Sequence, residues 1–161
     1  MSDQEFTMRV RSMERKLYRI AHAILWNDAD CADAIQEAVF KGWMKRASLR
    51  EARYFETWMV RILINECRNL IRRSKLAPLP LDEAVRTAGA DGDPGVDLQL
   101  RAALIGLPEK YRTVLLLHHL EGYSLDEVAR ILKLTPQLVK SRLFQARKLL
   151  RKNLNEGDES A

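Results

Sequence analysis

Apolar residues recur at helical spacing along most of the chain, and no stretch alternates between apolar and polar positions as a half-buried strand would. The first half contains three sets of apolar positions with this spacing. They are Leu17, Ile20, Ala21, Ile24 and Leu25, then Ala32, Ile35, Val39 and Trp43, then Phe55, Trp58, Met59, Ile62, Leu63 and Leu70. A polar break at residues 26–28 separates the first two sets. The pattern predicts three helices, the last ending near Arg73.

The helical pattern stops after the third set. Pro78 and Pro80 break any helix there, and glycines cluster among acidic side chains further on. So long a stretch without periodicity is unusual inside a compact domain. We therefore expect two small helical domains joined by a flexible linker. The predicted segments are a first domain at 1–75, an acidic linker at 76–97, a second domain at 98–155 and an acidic tail at 156–161.

The second half of the chain predicts helices with clearer ends. Pro108 suits the first position of a helix that Gly122 would terminate. Ser124 and Glu127 have the spacing of a capping box, in which each side chain bonds the backbone N–H of the other residue at a helix start. With the helices of the first half, these signals predict an all-α fold.

A last helix follows that short helix after a turn of about three residues, which is the helix-turn-helix arrangement. Thr135 suits its N-cap and Pro136 its first position. The stripe that would face the core consists of Val139, Leu143, Ala146 and Leu150. On and beside the opposite face lie donors for base edges and cations for phosphates. The candidate DNA-binding residues are Thr135, Gln137, Lys140, Ser141, Arg142, Phe144, Gln145, Arg147 and Lys148. The alternative is a three-helix bundle whose basic face is merely solvated.

The charge distribution adds a polyanionic partner to this picture. The chain has 27 Lys and Arg against 22 Asp and Glu, which gives a net charge of +5 and a pI of about 9.4. Residues 1–75 carry 15 basic against 10 acidic side chains, residues 76–97 carry 1 against 5, and residues 98–155 carry 11 against 4. Two basic domains on either side of an acidic segment are typical of a protein that binds nucleic acid.

Candidate residues for catalysis or metal binding are few. Cys31 and Cys67 stand alone, so we expect no disulfide and no zinc site but two buried thiols in a reducing compartment. His22 lies beside apolar positions and is expected to be partly buried. His118 and His119 are adjacent, so on a helix they point about 100° apart and do not easily chelate one metal. With no phosphate-binding glycine loop, HExxH motif or nucleophile elbow, we expect no catalytic residue, metal, cofactor or enzymatic activity.

The N-terminus lacks the apolar core of a signal peptide, and the most apolar run, residues 114–117, is far too short to span a bilayer. We therefore expect a cytoplasmic protein without membrane insertion.

Two groups of motifs resemble the sigma-70 family of bacterial transcription factors, and in particular its extracytoplasmic-function (ECF) group. Residues 107–112, 122–129 and 139–147 resemble region 4, which reads the −35 promoter element. Residues 33–43 and 55–62 resemble region 2, and the two regions occur in family order. The chain departs from the usual pattern in its turn and recognition helix. Lys133 stands where the turn usually has glycine, and Gln145 where a basic residue is common.

The resemblance implies an alternative sigma factor that directs core RNA polymerase to −10 and −35 elements and assists initiation. The implied −10 contacts are Arg61, Asn65, Arg68, Asn69, Arg72 and Arg73. Four of these six share one stripe at helical spacing, although such a stripe could also be an ordinary solvated face. The residues implied to bind the clamp helices of the polymerase β′ subunit are Asp33, Gln36, Glu37, Phe40 and Trp43. The alternative there is that Trp43 only fills the core.

The resemblance implies three further contacts. The second domain would bind the flap of the β subunit, and an anti-sigma factor would occlude these surfaces. The loop at 48–54 would capture a base flipped from the −10 element. Tyr54, Phe55 and Trp58 could stack on unpaired bases, although core packing is the favoured role of Phe55 and Trp58.

Two rival functions stay open from the sequence alone. A stand-alone helix-turn-helix regulator would explain the second domain and would bind a palindromic site as a dimer. A protein-interaction module that occupies polymerase without reading DNA would tolerate replacement of Lys140 and Arg142, whereas promoter recognition would not.

Overall fold

A computed structural model describes residues 1–74 and 98–159 of the chain. These residues form helices and short turns, without a β-strand among them. The chain divides into two compact units, one that contains residues 1–74 and one that contains most of the described residues from 98 onward. The all-α fold predicted from the sequence is confirmed. The predicted linker at 76–97 lies outside the described residues, and the limits of the two domains stay a prediction.

Four helices form the described part of the first unit. They are α1 (Asp3–Ser12), α2 (Glu14–Leu25), α3 (Asp28–Met44) and α4 (Phe55–Ser74), with 3-10 turns at Arg46–Ser48 and Ala52–Tyr54 between the last two. Short polar side chains start two of them. Ser2 Oγ accepts the Glu5 N–H at 3.1 Å, and Asn27 Oδ1 accepts the Asp30 N–H at 2.9 Å. Each bond satisfies an amide that has no partner inside its helix.

The core of this unit lies where α2, α3 and α4 pack together. Its largest fully buried side chains are Leu17, Ile20, Ile24, Met59, Val60, Leu63 and Ile64. Helix α1, which the sequence pattern did not predict, contributes Phe6, whose ring packs edge-on against Phe55 with centroids 5.7 Å apart. Because α1 buries this one position in ten residues, it leaves no periodic signal.

Helix α3 packs through a different face from the one that its periodic apolar residues mark. Of that set, Ile35 and Val39 are half-buried, and Ala32 and Trp43 are exposed. The buried residues are Cys31, Ala34, Ala38 and Gly42. Small side chains let α3 approach its neighbours closely, and a Cβ on Gly42 would meet Met59 Sδ at 3.0 Å. Residues this small carry little hydrophobic signal, so the periodicity of the larger residues does not mark the buried face of α3.

The second unit also has four helices among its described residues. They are α5 (Leu98–Ile105), α6 (Glu109–Leu115), α7 (Leu125–Leu132) and α8 (Pro136–Glu159). Pro108 is the N-cap of α6 rather than its first residue, because its backbone is extended, with ψ of 145°. A π turn at Leu116–Leu120 continues α6, and the Glu121 N–H bonds the Leu116 carbonyl five residues earlier at 3.0 Å.

Local signals set the ends of these helices. Gly122 has a φ of 78°, a conformation that favours glycine, and it follows the π turn. Ser124 and Glu127 form the predicted capping box, with both bonds at 3.1 Å. Helix α8 continues to Glu159, so regular helix extends into the segment predicted as a tail.

No helix within the described ranges is long and apolar enough to cross a membrane.

Candidate nucleic-acid interface

The predicted helix-turn-helix is formed by α7, a three-residue turn and α8. Lys133 leaves α7 in the left-handed conformation, with a φ of 56°, at the position where glycine was the usual residue. The Leu134 N–H then donates to the Ala129 carbonyl at 2.9 Å. Thr135 Oγ1 accepts the Leu138 N–H at 3.2 Å, which confirms Thr135 as the N-cap of α8.

Buried side chains fix which face of α8 points outward. Val139, Leu143 and Ala146 are at most 1% exposed, as the predicted stripe required. Leu150, the last member of that stripe, is half-buried. Because successive helical residues are about 100° apart, the residues opposite this stripe face solvent.

The structure brings the predicted DNA-binding residues of α8 onto that outward side. Arg142 is half-buried and flanks it. The exposed members are Thr135, Gln137, Lys140, Ser141, Phe144, Gln145, Arg147 and Lys148. The Phe144 side chain is 64% exposed, far more than expected for a core aromatic residue. The face therefore offers cations, polar groups and an apolar ring together.

His119, which was not predicted to belong to this surface, forms a hydrogen bond with Arg147. Arg147 Nε donates to His119 Nε2 at 3.1 Å. The pKa of His119 lies below its ordinary value because burial disfavours the charged ring, and because Arg147 and His118 are close to it. The neutral ring is therefore the form that accepts the hydrogen bond and orients Arg147.

Because the pKa of His119 is lowered in the folded protein, we expect the stability of the protein to fall in acid. The unfolded chain takes up the His119 proton at a higher pH than the folded chain, so stability declines as pH drops below about 6.5. His119→Gln keeps an acceptor for Arg147 but does not titrate. We expect the melting temperature of this variant to fall less than that of the wild type between neutral pH and about pH 5.5. An equal fall in melting temperature for the two proteins over this pH range would contradict this role of His119.

A second basic surface runs along α4 in the first unit. Arg61, Asn65, Arg68 and Arg72 repeat at intervals of four, three and four residues, which places them on one stripe. Asn65, Arg72 and Arg73 are exposed, and Arg61, Arg68 and Asn69 are half-buried. Arg72 Nη2 donates to Asn69 Oδ1, one turn earlier. The six predicted residues thus lie on or beside one accessible side of α4.

Three aromatic residues at the start of α4 have different environments. Phe55 is 2% exposed and packs against Phe6 and Trp58, so its favoured role in the core is confirmed. Trp58 is half-buried. Tyr54, in the 3-10 turn before the helix, is 37% exposed, with the Arg53 guanidinium 4.8 Å from its ring centre. Of the three, Tyr54 is the most accessible to a stacking partner.

The outward face of α3 is neither basic nor part of these surfaces. Asp33, Gln36, Glu37, Phe40 and Trp43 are all exposed, Phe40 by 58% and Trp43 by 38%. The Arg46 guanidinium carbon lies 4.2 Å from the Trp43 ring centre. Trp43 therefore does not fill the core. Met44, which the sequence analysis did not single out, extends the apolar part of this face and is 61% exposed.

Two family models match separate parts of the chain. Residues 9–76 match Sigma-70 region 2, and residues 97–150 match Sigma-70, region 4. The RNA polymerase sigma factor SigV of Bacillus subtilis is 29% identical over 148 residues, covering 91% of this chain and 89% of SigV. The ECF RNA polymerase sigma factor SigW of the same organism is 32% identical, covering 88% of this chain and 84% of SigW. The chain belongs to the ECF group of the sigma-70 family.

Solved structures have the same fold as this sigma factor. The sigma factor RpoE, in its complex with the anti-sigma factor NepR from Bartonella quintana, matches 94% of this chain with a TM-score of 0.73 and 20% identity. CnrH, in its complex with the cytosolic domain of CnrY, matches 96% with a TM-score of 0.73 and 24% identity. At these identities the likeness concerns the fold.

Sigma factors direct RNA polymerase to promoters for the initiation of transcription, and so does this one. The family consists of initiation factors rather than enzymes. Its region 2 match includes all of α2, α3 and α4, and its region 4 match includes the helix-turn-helix.

The thiols and imidazoles of this sigma factor differ in burial, since His119 is exposed and His118 half-buried. Cys31 and Cys67 are fully buried, and burial raises the pKa of the Cys31 thiol to about 12. His22 is 9% exposed, as expected from its apolar neighbours. His118 Nδ1 donates to the Tyr123 carbonyl at 2.8 Å. Within residues 1–74 and 98–159, no three His, Cys, Asp or Glu side chains are grouped to hold a metal ion.

Proposed function

We propose that this sigma factor reads the two promoter elements with two separate helices and holds core RNA polymerase with a third. Helix α8 lies in the major groove of the −35 element, and α4 reads the −10 element. Helix α3 docks on the clamp helices of the β′ subunit. The second unit also contacts the flap of the β subunit.

The outward face of α8 is the observation that carries the proposal. A side chain can reach base edges only if it is exposed on the face turned to the groove. Eight of the nine predicted residues are exposed, and Arg142 is half-buried beside them. Lys140 and Arg142 suit phosphates or guanine edges, Gln137 and Gln145 suit adenine edges, and Phe144 suits a thymine methyl group.

The composition of α4 supports its role at the −10 element. Arg61, Arg68 and Arg72 can neutralise phosphates along one stripe, while Asn65 and Asn69 offer donors and acceptors to bases. Tyr54 is positioned at the start of this helix to stack on a base leaving the duplex. Extruding a base costs a few kcal/mol, so a stacking partner at that place favours melting.

The outward face of α3 suits a protein partner rather than DNA. It combines two carboxylates, Asp33 and Glu37, with the exposed rings of Phe40 and Trp43. Carboxylates repel phosphates, whereas aromatic side chains are enriched where proteins meet. This face is therefore assigned to polymerase. Since RpoE and CnrH are seen bound to other proteins, we also propose that an anti-sigma factor regulates this chain by covering these surfaces.

We further infer that the protein acts in the cytoplasm, where RNA polymerase and the chromosome are. Two buried thiols that form no disulfide suit a reducing compartment. In this role the chain contributes binding and positioning, and no catalytic residue, metal or cofactor of its own is required.

The experiment that tests the proposal is run-off transcription with purified core RNA polymerase on a genomic promoter library, with and without this protein. The expected result is a set of new start sites that share −35 and −10 elements at a constant spacing. Stable binding to core polymerase without new starts would favour a factor that occupies polymerase without reading DNA. If the protein failed to bind core polymerase, a stand-alone helix-turn-helix regulator would be the remaining interpretation.

A further inference from the structure

Helix α8 continues beyond the part of the chain that matches the family model, and its outward side stays basic as far as Lys152. The region 4 match ends at residue 150, whereas the helix reaches Glu159. Arg151 and Lys152, in this extension, are both exposed. The candidate residues chosen from the sequence stopped at Lys148 and did not include them.

These two side chains lie on the same face as the residues assigned to the −35 element. At about 100° per residue, Arg151 and Lys152 lie within roughly 60° of Gln137 around the helix axis. Lys148, between them and the reading residues, lies on the same line. The groove-facing surface of α8 therefore continues without a change of direction into a basic extension.

The basic part of the extension cannot turn independently, because the inner side of the helix remains packed as far as Leu154. Leu150 and Leu154 are half-buried, and Asn153 Nδ2 donates to the Ala103 carbonyl of α5 at 3.1 Å. The apolar stripe of Val139, Leu143 and Ala146 leads directly into these contacts. Once the first half of α8 is docked, the direction of Arg151 and Lys152 is fixed as well.

The length of α8 determines which part of the DNA Arg151 and Lys152 can contact. Ser141 and Lys152 are eleven residues apart, or about 16 Å along the helix axis at 1.5 Å per residue. The major groove of DNA is about 12 Å wide. With the start of α8 among the base edges, residues 151 and 152 have therefore left the groove and lie over the sugar–phosphate strand that borders it.

We propose that Arg151 and Lys152 form a phosphate-binding site for the DNA backbone beside the −35 element, a contact that adds affinity without reading sequence. This inference rests on the proposed function, because it uses the docking of α8 in that groove. Arg and Lys are the side chains that contact phosphates, and the negative charges of DNA are close enough together to meet both at once.

The surroundings of the two residues favour DNA over an acidic protein surface. A protein interface usually has an apolar or aromatic core inside a polar rim. The outward residues of the extension as far as residue 156 are Lys148, Arg151, Lys152, Asn155 and Glu156, all polar or charged, with three cations against one carboxylate. The exposed ring of Phe144 lies a full turn before this group, among the reading residues.

The test compares Arg151→Gln/Lys152→Gln with wild type in the polymerase holoenzyme. Gln keeps the helix propensity of the replaced residues, so folding is preserved. The probe is a duplex that carries the −35 element found by run-off transcription and ends before the −10 element. Each phosphate contact contributes about 0.9 to the slope of log affinity against log salt, so we expect the slope to fall by about 1.8. The ranking of duplexes with single base changes should not alter.

The matched control is Arg11→Gln/Arg15→Gln, which removes two exposed positive charges from the first unit. It should leave the slope unchanged. A second arm places neutral methylphosphonate linkages along the strand beside the element. A neutral linkage at one position should weaken DNA binding by the wild type. It should not weaken binding by Arg151→Gln/Lys152→Gln, because that variant has already lost the contact.

Two results would overturn the inference. One is a slope equal to that of wild type. The other is weaker binding to core polymerase with an unchanged slope, which would assign the two residues to a protein partner. Failure of the proposed function looks different: wild-type holoenzyme would then bind the −35 duplex and a scrambled duplex equally. The salt slope on the scrambled duplex would still report whether Arg151 and Lys152 contact phosphates.

Discussion

Replacing Phe40 and Trp43 together by Ala is expected to weaken binding to core RNA polymerase about a thousandfold and to stop transcription from every promoter. Aromatic anchors at the centre of a protein interface each contribute about 2 kcal/mol or more. Two of them make about 4 kcal/mol, and each 1.4 kcal/mol is a factor of ten in affinity. Because both side chains are exposed on α3, their removal should not destabilise the fold.

Affinity for fluorescently labelled core polymerase measures this effect, and thermal unfolding verifies that the variant is folded. Met8→Ala is the matched control, because Met8 is an apolar residue of the same unit that is 69% exposed on α1. It should bind polymerase like the wild type. If the double variant still binds with wild-type affinity, α3 is not the docking helix and its exposed rings need another explanation.

Lys41→Met is expected to lower the free energy of unfolding of the protein by about 3 kcal/mol, because it strands a buried carboxylate. Glu66 of α4 is 4% exposed, and its Oε1 lies 2.5 Å from Lys41 Nζ of α3. The Lys41 side chain is 39% exposed, so water can reach part of the site, and the lower end of the usual range for a broken buried pair applies. The measurement is unfolding in urea.

The double variant Lys41→Met/Glu66→Met separates the lost ion pair from lost packing. Replacing both charged groups by apolar ones of similar size removes the stranded carboxylate, so most of the stability should return. If the double variant were as unstable as Lys41→Met, the loss would come from packing between α3 and α4. If Lys41→Met were as stable as the wild type, Glu66 would be solvated despite its burial.

The parts of the fold that the sequence predicted well are those with strong local signals. The capping box of Ser124 and Glu127 specifies a helix start through two hydrogen bonds within four residues, so neighbouring elements hardly affect it. The same holds for Thr135 at the start of α8. Helix α4 combines many large apolar residues at helical spacing, and it runs from Phe55 to Ser74 where Phe55 to Arg73 was predicted.

The sequence was least informative where packing depends on shape rather than on hydrophobicity. Helix α3 buries Ala34, Ala38 and Gly42 because they let neighbouring helices approach, and periodicity gives such residues little weight. The periodic set in this helix therefore consists mainly of larger residues that are half-buried or exposed. The resemblance to region 2 nevertheless selected Phe40 and Trp43 as contact residues, and both are exposed.

Sequence reasoning also missed contacts that depend on irregular backbone. The π turn at Leu116–Leu120 adds a residue to one turn, so side chains after it point in directions that a regular helix would not give. His119 lies in this turn, and its bond to Arg147 joins positions 28 residues apart. No periodic pattern relates two such positions. Helical spacing alone places Arg151 and Lys152 on the outward face of α8. They were not among the predicted residues because the helix-turn-helix motif used for the prediction ended before them.

The most direct test of the central claim is promoter selection from a library in which both elements are randomised, with polymerase carrying wild-type protein, Lys140→Ala or Asn65→Ala. We expect Lys140→Ala to change base preference only in the −35 element, because Lys140 lies on the outward face of α8. Asn65→Ala should change it only in the −10 element. A shift in the opposite element for either variant, or unchanged preferences for both, would contradict the assignment of α8 and α4 to the two promoter elements.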